Sequence, residues 1–329
     1  MVHPRRCGTL GGSSGRLRGH RGVFTGQRGL SALSFTQPFK RLSPGDTIGV
    51  CAPCGAFDTA EFALGTEALE QMGFRTVIPE GIDRTHRYLA GKDRDRAGIV
   101  NRLFQRRDIR AIVCARGGYG AMRILDHLDW EMIRSNPKPF VGFSDATALL
   151  LSLVQLSQVP VIHGPTVISL GKGDPETRQS FYHLLCTGPP GRIDLEGPVL
   201  IRGEAEGSFV GGNLATMNHL TGTLYQPDLN GAILFLEDIA EPAYKVDRML
   251  TQMSLAGLFT GLNGVVIGTL TDCSPVDMIH EVLIERFESL EIPICTGLSA
   301  GHDAVNLSLP MGGKVRLNAL GQAGFLEYV

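Results

Sequence analysis

No uninterrupted apolar run in this 329-residue chain approaches the roughly 18 residues that a bilayer-spanning helix needs, which excludes a helical integral membrane protein. Aromatic residues are scarce, at 7%, with Trp130 the only tryptophan. Cysteines are few and odd in number: Cys7, Cys51, Cys54, Cys114, Cys186, Cys273 and Cys295. Sparse and mostly set in apolar segments, they read as buried, reduced thiols rather than a disulfide framework. Cys51-Ala-Pro-Cys54 has redox or metal-binding spacing, but no second pair matches it, so a structural role is expected. Metal catalysis is disfavoured, because there is no His-Glu-x-x-His and no convincing set of paired His/Cys ligands. Nucleotide-binding signatures are incomplete, with neither Gly-Lys-Ser/Thr nor a full Gly-x-Gly-x-x-Gly with its distal acid.

Acidic residues are absent before Asp46, whereas Arg5, Arg6, Arg16, Arg18, Arg21, Arg28, Lys40 and Arg41 all precede it. The net charge of −2 therefore hides a strongly acidic remainder, a poor general partner for nucleic acid or anionic lipid. The basic segment has no apolar core of the length a secretory signal requires. Its arginine and serine content fits an organellar transit peptide, but its glycine does not suit an amphipathic helix. A disordered or mis-annotated extension over 1–40, outside the fold, is the expectation.

From Thr47 the pattern is regular. Thr47–Ala52, Arg75–Pro79, Ala111–Ala115, Pro139–Phe143 and Val159–His163 read as strands. Helices are expected from Asp58 to Gly73, over Asp93–Arg107 and over Ala146–Leu156. Asp58 and Glu61 have the form of a capping box, with Glu61 reaching back. Strands lacking in/out alternation, interleaved with helices, imply a parallel sheet covered on both faces. The fold class expected is α/β in two domains: an N-terminal nucleophile domain over 41–170, a Gly/Pro-rich crossover over 171–204, and a smaller C-terminal α+β domain over 205–329. Strands near 206–210, 232–236, 264–270 and 305–317, with helices near 212–221, 243–256 and 276–289, fill the last.

Chemistry is concentrated at Phe140-Val141-Gly142-Phe143-Ser144-Asp145-Ala146-Thr147. A strand runs directly into a helix with serine at the corner and small residues two positions to either side, the requirement of a nucleophile elbow. The Asp145 amide then points at an oxyanion formed on an acyl group attacked by Ser144. A serine before an apolar helix is equally an ordinary N-cap, and alanine at plus two departs from the hydrolase pattern. Arg116-Gly117-Gly118-Tyr119-Gly120 follows another strand of the same sheet. Gly117 or Gly118 could donate an unobstructed amide to an oxyanion, and Arg116 could pair with a substrate carboxylate; a tight turn explains the glycines as well. For the base, His302 and His163 compete. For the orienting acid, Glu237 and Asp238 end the buried run from Ile233.

Taken together, these segments resemble one family. Pro44-Gly45-Asp46-Thr47-Ile48-Gly49-Val50, Arg116–Gly120, Gly142-Phe143-Ser144-Asp145 and His163-Gly164-Pro165 carry the likeness in the first half. Gly211-Gly212-Asn213-Leu214, Leu236-Glu237-Asp238, Asp247-Arg248-Met249-Leu250, Gly301-His302 and Asn306-Leu307-Ser308-Leu309-Pro310 carry it in the second. Their order and spacing are those of the LD-carboxypeptidases, or muramoyltetrapeptide carboxypeptidases, serine peptidases of bacterial murein recycling. The resemblance runs from Pro44 to Leu317; Cys51, Cys54 and Phe143 depart from the usual residues. It implies a catalytic triad of Ser144, Glu237 and His302 in the cleft between domains, with oxyanion donors from Asp145 and the glycine loop. It further implies a murein peptide as substrate, no cofactor or metal, and a cytoplasmic location, and it leaves a homodimer open. Two rivals stand beside it: a same-fold enzyme of the microcin C immunity type that cleaves aminoacyl-nucleotides, and a non-catalytic α/β ligand-binding module in which Ser144 only caps a helix.

Overall fold

The short apolar runs become the strands of one sheet. The computed structural model describes residues 40–329, so Cys7 and the extension up to residue 39 lie outside it. In spatial order the first sheet is Leu309–Met311, Val161–His163, Phe140–Gly142, Ile109–Cys114, Thr47–Cys51 and Arg75–Val77. All neighbours are parallel except Leu309–Met311, which runs antiparallel to Val161–His163. Ile48, Val50, Ile112, Val113, Phe140 and Val141 are fully buried, each contributing about 1.5–3 kcal/mol of apolar transfer. Among the described residues six cysteines are free thiols, and all but Cys186 are buried. No helix among the described residues is long and apolar enough to cross a membrane.

Local signals set the helices. Asp58 Oδ1 accepts from the amides of Ala60 and Glu61, both at 2.9 Å, and opens the helix Thr59–Gln71; such a cap is worth about 1 kcal/mol. Glu61 does not reach back as expected but faces Lys172 Nζ at 3.4 Å, across the contact with helix Val167–Lys172. The crossover expected over 171–204 carries structure of its own. Helix Pro175–Cys186 starts with proline after the Asp174 cap, and strands Arg192–Asp194 and Val199–Ile201 follow it.

The second sheet has eight strands, ordered Arg192–Asp194, Phe325–Tyr328, Lys314–Asn318, Glu204–Asn213, Ala232–Ile239, Gly264–Thr271, Ile294–Cys295 and Val199–Ile201. Glu204–Asn213, Ala232–Ile239, Gly264–Thr271 and Ile294–Cys295 are mutually parallel neighbours, and the outer pairs are antiparallel. The result is a two-domain mixed α/β fold. One expectation is corrected: residues 305–317 do not form a single strand. Leu309–Met311 joins the first sheet, and after a turn at Gly312, with φ +80°, Lys314–Asn318 joins the second. This exchange brings the loop that contains His302 back to the end of the His163 strand.

Candidate active site

At the carboxyl end of strand Phe140–Gly142 the chain turns sharply. Ser144 has φ +62°, a left-handed conformation that costs a non-glycine residue on the order of 1 kcal/mol. The turn is possible because residue 142 lacks a side chain: a Cβ there would lie 2.9 Å from Cys114 Sγ and 3.1 Å from Ala146 Cβ. A short 3-10 turn, Ser144–Ala146, leads into the buried helix Thr147–Ser157. Ser144 does not cap it, since neither helix start carries a side-chain cap. The hydroxyl is instead aimed at a histidine.

His302 Nε2 lies 3.0 Å from Ser144 Oγ, and its Nδ1 lies 2.7 Å from Glu237 Oε2. Glu237 is fully buried near the end of strand Ala232–Ile239. Burial drives its carboxyl toward the protonated form, and the imidazole beside it opposes that. Burial likewise disfavours charge on His302, but the hydrogen bond and negative charge of Glu237 outweigh it, so the pKa is raised from 6.5. The His302 loop is pinned by its own backbone. The His302 amide donates to Thr269 Oγ1 at 3.0 Å, and the Gly301 amide to Asn306 Oδ1 at 3.1 Å. Phe143 covers the imidazole, with ring centroids 4.9 Å apart.

The rivals occupy other roles. His163 is completely buried, edge-on to Phe235 at 4.9 Å and to Phe143 at 5.9 Å, and neither ring nitrogen has a hydrogen-bond partner. Burial pushes its pKa down to about 3. Asp238 is structural: it accepts from Asn213 Nδ2 and the amides of Ala215 and Ile239 at 2.8–2.9 Å. Asn213, not singled out from the sequence, caps helix Leu214–Leu220 through Oδ1 and donates its own amide to Thr147 Oγ1 across the two halves.

Gly117 closes the other side of the serine. A Cβ at that position would meet Ser144 Cβ at 2.9 Å and Oγ at 3.0 Å, so only glycine lets the loop approach so closely. The amide of Asp145 sits in the first turn after the elbow, where no intrahelical acceptor exists. The Gly117 carbonyl accepts from the Gly55 amide at 3.1 Å, which fixes the loop beside the elbow. Arg116 stands on the exposed rim with Nη1 donating to the Ala56 carbonyl at 2.8 Å, and no contact joins it to the three central side chains. The Asp145 carboxylate, whose amide alone was considered from sequence, accepts from Ala121 at 2.8 Å and ties the glycine loop to the elbow. Arg96 supports the same loop from beneath. It is 1% exposed and donates to the carbonyls of Gly120, at 2.9 Å, and Pro53, and to Asp93 at 2.6 Å. The helix period could have revealed it, since Arg96 shares a face with Ile99, Val100 and Leu103.

Residues 48–164 match the family model of the LD-carboxypeptidase N-terminal domain, and residues 206–317 that of the LD-carboxypeptidase C-terminal domain. The chain is 32% identical over 310 residues to the probable murein peptide carboxypeptidase of Bacillus subtilis, covering 91% of this chain and 97% of that protein. It is 32% identical over 281 residues to the murein tetrapeptide carboxypeptidase of Pseudomonas aeruginosa, covering 80% and 91%. Among solved structures, an MccF-like protein from Bacillus anthracis superposes with a TM-score of 0.82 at 26% identity, covering 88% of this chain and 99% of that one.

Proposed function

Because the chain belongs to the LD-carboxypeptidase family, with both of its domain models matched in order, we propose that it is a serine carboxypeptidase that releases terminal D-alanine from murein tetrapeptides. One observation carries the reading: the continuous relay from Ser144 Oγ through His302 to Glu237, at 3.0 and 2.7 Å, with the serine held in a left-handed turn. Both contacts are already within the reach of general-base catalysis.

In this mechanism His302 Nε2 takes the hydroxyl proton as Oγ attacks the carbonyl of the third residue, whose centre is L. Glu237 holds the Nδ1–H tautomer and offsets the positive charge that develops on the ring. The tetrahedral oxyanion is received by the amides of Asp145 and Gly117 or Gly118. His302 then protonates the leaving D-alanine, and water hydrolyses the acyl-enzyme by the reverse sequence. Substrates of this kind go with a cytoplasmic site of action in murein recycling. Murein-directed relatives at 32% identity support this reading.

The test is direct assay of D-alanine released from a free murein tetrapeptide. Ser144→Ala is expected to lower kcat by about 10⁴-fold or more in folded protein. Near-normal turnover by that variant removes the serine from the mechanism. Cleavage of an aminoacyl sulfamoyl adenosine, with the tetrapeptide untouched, transfers the same triad to the other substrate class.

A further inference from the structure

Away from the catalytic side chains, between the end of edge strand Arg75–Val77 and helix Asp93–Gln105, lies a cavity of about 680 Å³. Four guanidinium groups surround it, those of Arg84, Arg94, Arg102 and Arg106, with the carboxylates of Glu80 and Asp95 beside them. Positions 94, 98 and 102 recur every four residues and so follow one stripe of the helix. Gly98 opens a gap in that stripe: a Cβ there would lie 3.1 Å from Arg102 Nη1. Arg102 therefore leans back toward the helix start, as helical side chains do, and brings its charge toward Arg94. Arg84 folds over Gly81, whose φ is +77°, with Nε 2.7 Å from where a Cβ would stand.

Like charges drawn around one space are unfavourable until an anion sits among them. Arg106 is already held by Asp108 at 2.6 Å. Among the described residues, Arg84, Arg94 and Arg102 have no carboxylate within ion-pair distance, and Glu80 and Asp95 have no basic partner. The arginine-rich segment before Asp46 has the wrong sign to serve. One wall is apolar, formed by Val77, Ile78, Ile99 and Leu103, with Ile78 46% exposed. We propose that this cavity binds a small organic phosphate. Arg84, Arg94 and Arg102 grip the phosphoryl group, and its apolar body lies against Ile78 and Ile99. A guanidinium suits phosphate because it offers two parallel N–H donors to two oxygens. The volume is that of a small-molecule site, and the two carboxylates oppose a long polyanion such as a nucleic-acid backbone. None of these residues belongs to the Ser144 site, and the proposal is independent of the peptidase reading.

Isothermal titration of the full chain with phenyl phosphate, inorganic phosphate and phenol tests it. Phenyl phosphate is expected to bind one per chain, more tightly than inorganic phosphate or phenol, and more weakly as salt rises. Arg94→Met and Arg102→Met should each weaken it about tenfold or more. Arg107→Met, just beyond the same helix and outside the cavity, and Arg116→Met, on the rim of the catalytic cleft, should leave it unchanged. No saturable binding at millimolar concentration overturns the proposal. So does a loss shared equally by all four variants, which marks diffuse charge, and so does a loss with Arg116→Met alone, which places the anion in the catalytic cleft. Phenol binding as tightly as phenyl phosphate removes the arginines from recognition. Equal affinity for phenyl phosphate and inorganic phosphate overturns the organic body, the species recognised then being free phosphate.

Discussion

Replacing Gly117 by alanine separates the geometry of the serine from its chemistry. The added carbon would sit 2.9 Å from Ser144 Cβ and 3.0 Å from Oγ, at least about half an ångström inside ordinary carbon contact. Gly117 has no left-handed backbone to lose, so the strain falls on packing alone. The serine cannot yield by backbone rotation, because its φ of +62° is already fixed by the elbow. Its side chain must therefore move by roughly 0.5–1 Å relative to His302 Nε2, and misplacement of that order costs up to about 10²-fold in rate. Global stability should fall by only about 1–3 kcal/mol, as for overpacking elsewhere. Kinetics of D-alanine release and urea unfolding on the same sample separate the two effects. A variant that retains kcat within about threefold of wild type, while folded, refutes the claim that the Ser144 hydroxyl must stay against this loop.

Three further outcomes are expected. The proposed mechanism needs neutral His302, whose pKa is raised from 6.5, so the acid limb of kcat/KM should lie above pH 6.5; Glu237→Gln should shift it downward and lower kcat by up to about 10⁴-fold, and a limb well below 6 in wild type contradicts the ion-pair account. His163 titrates near 3 when folded and near 6.5 when unfolded, so between those values only the unfolded chain takes up the proton and stability falls as pH falls. Urea unfolding of His163→Leu should lack about 2 kcal/mol of the wild-type loss between pH 7 and pH 5. Arg96→Met strips the buried carbonyls of Gly120 and Pro53 of their donor. It should cost about 2–4 kcal/mol by urea midpoint and reduce turnover as well, since the glycine loop beside Ser144 rests on that side chain.

The strands at 47–51, 109–114 and 140–142 and the helix after Asp58 were legible because each is written in contiguous residues: an apolar run, a cap, a breaker. The elbow was legible for the same reason, as glycine, serine and alanine at fixed spacing describe a strained turn. The choice between His302 and His163 was not. His163 ends a strand before Gly164-Pro165 and His302 lies in a small-residue loop after one, and only motif resemblance separated them in the sequence. In the fold the separation is one of environment, His163 being sealed between aromatic rings and His302 meeting a carboxylate on one side and a hydroxyl on the other. Arg96 has no local signature of its role, because a lone buried guanidinium gains its meaning from carbonyls more than twenty positions away.

What the chain alone determined is therefore its alternation of elements, its parallel first sheet and the sharp turn at Ser144, because hydrophobic periodicity and turn chemistry act over a few positions. Tertiary structure decided which of those residues meet. Leu309–Met311 leaves its neighbours to pair with the His163 strand, and that long-range exchange helps carry the His302 loop to Ser144. Backbone pairing between segments nearly 150 residues apart is chosen by the packing of the whole, and no local pattern encodes it.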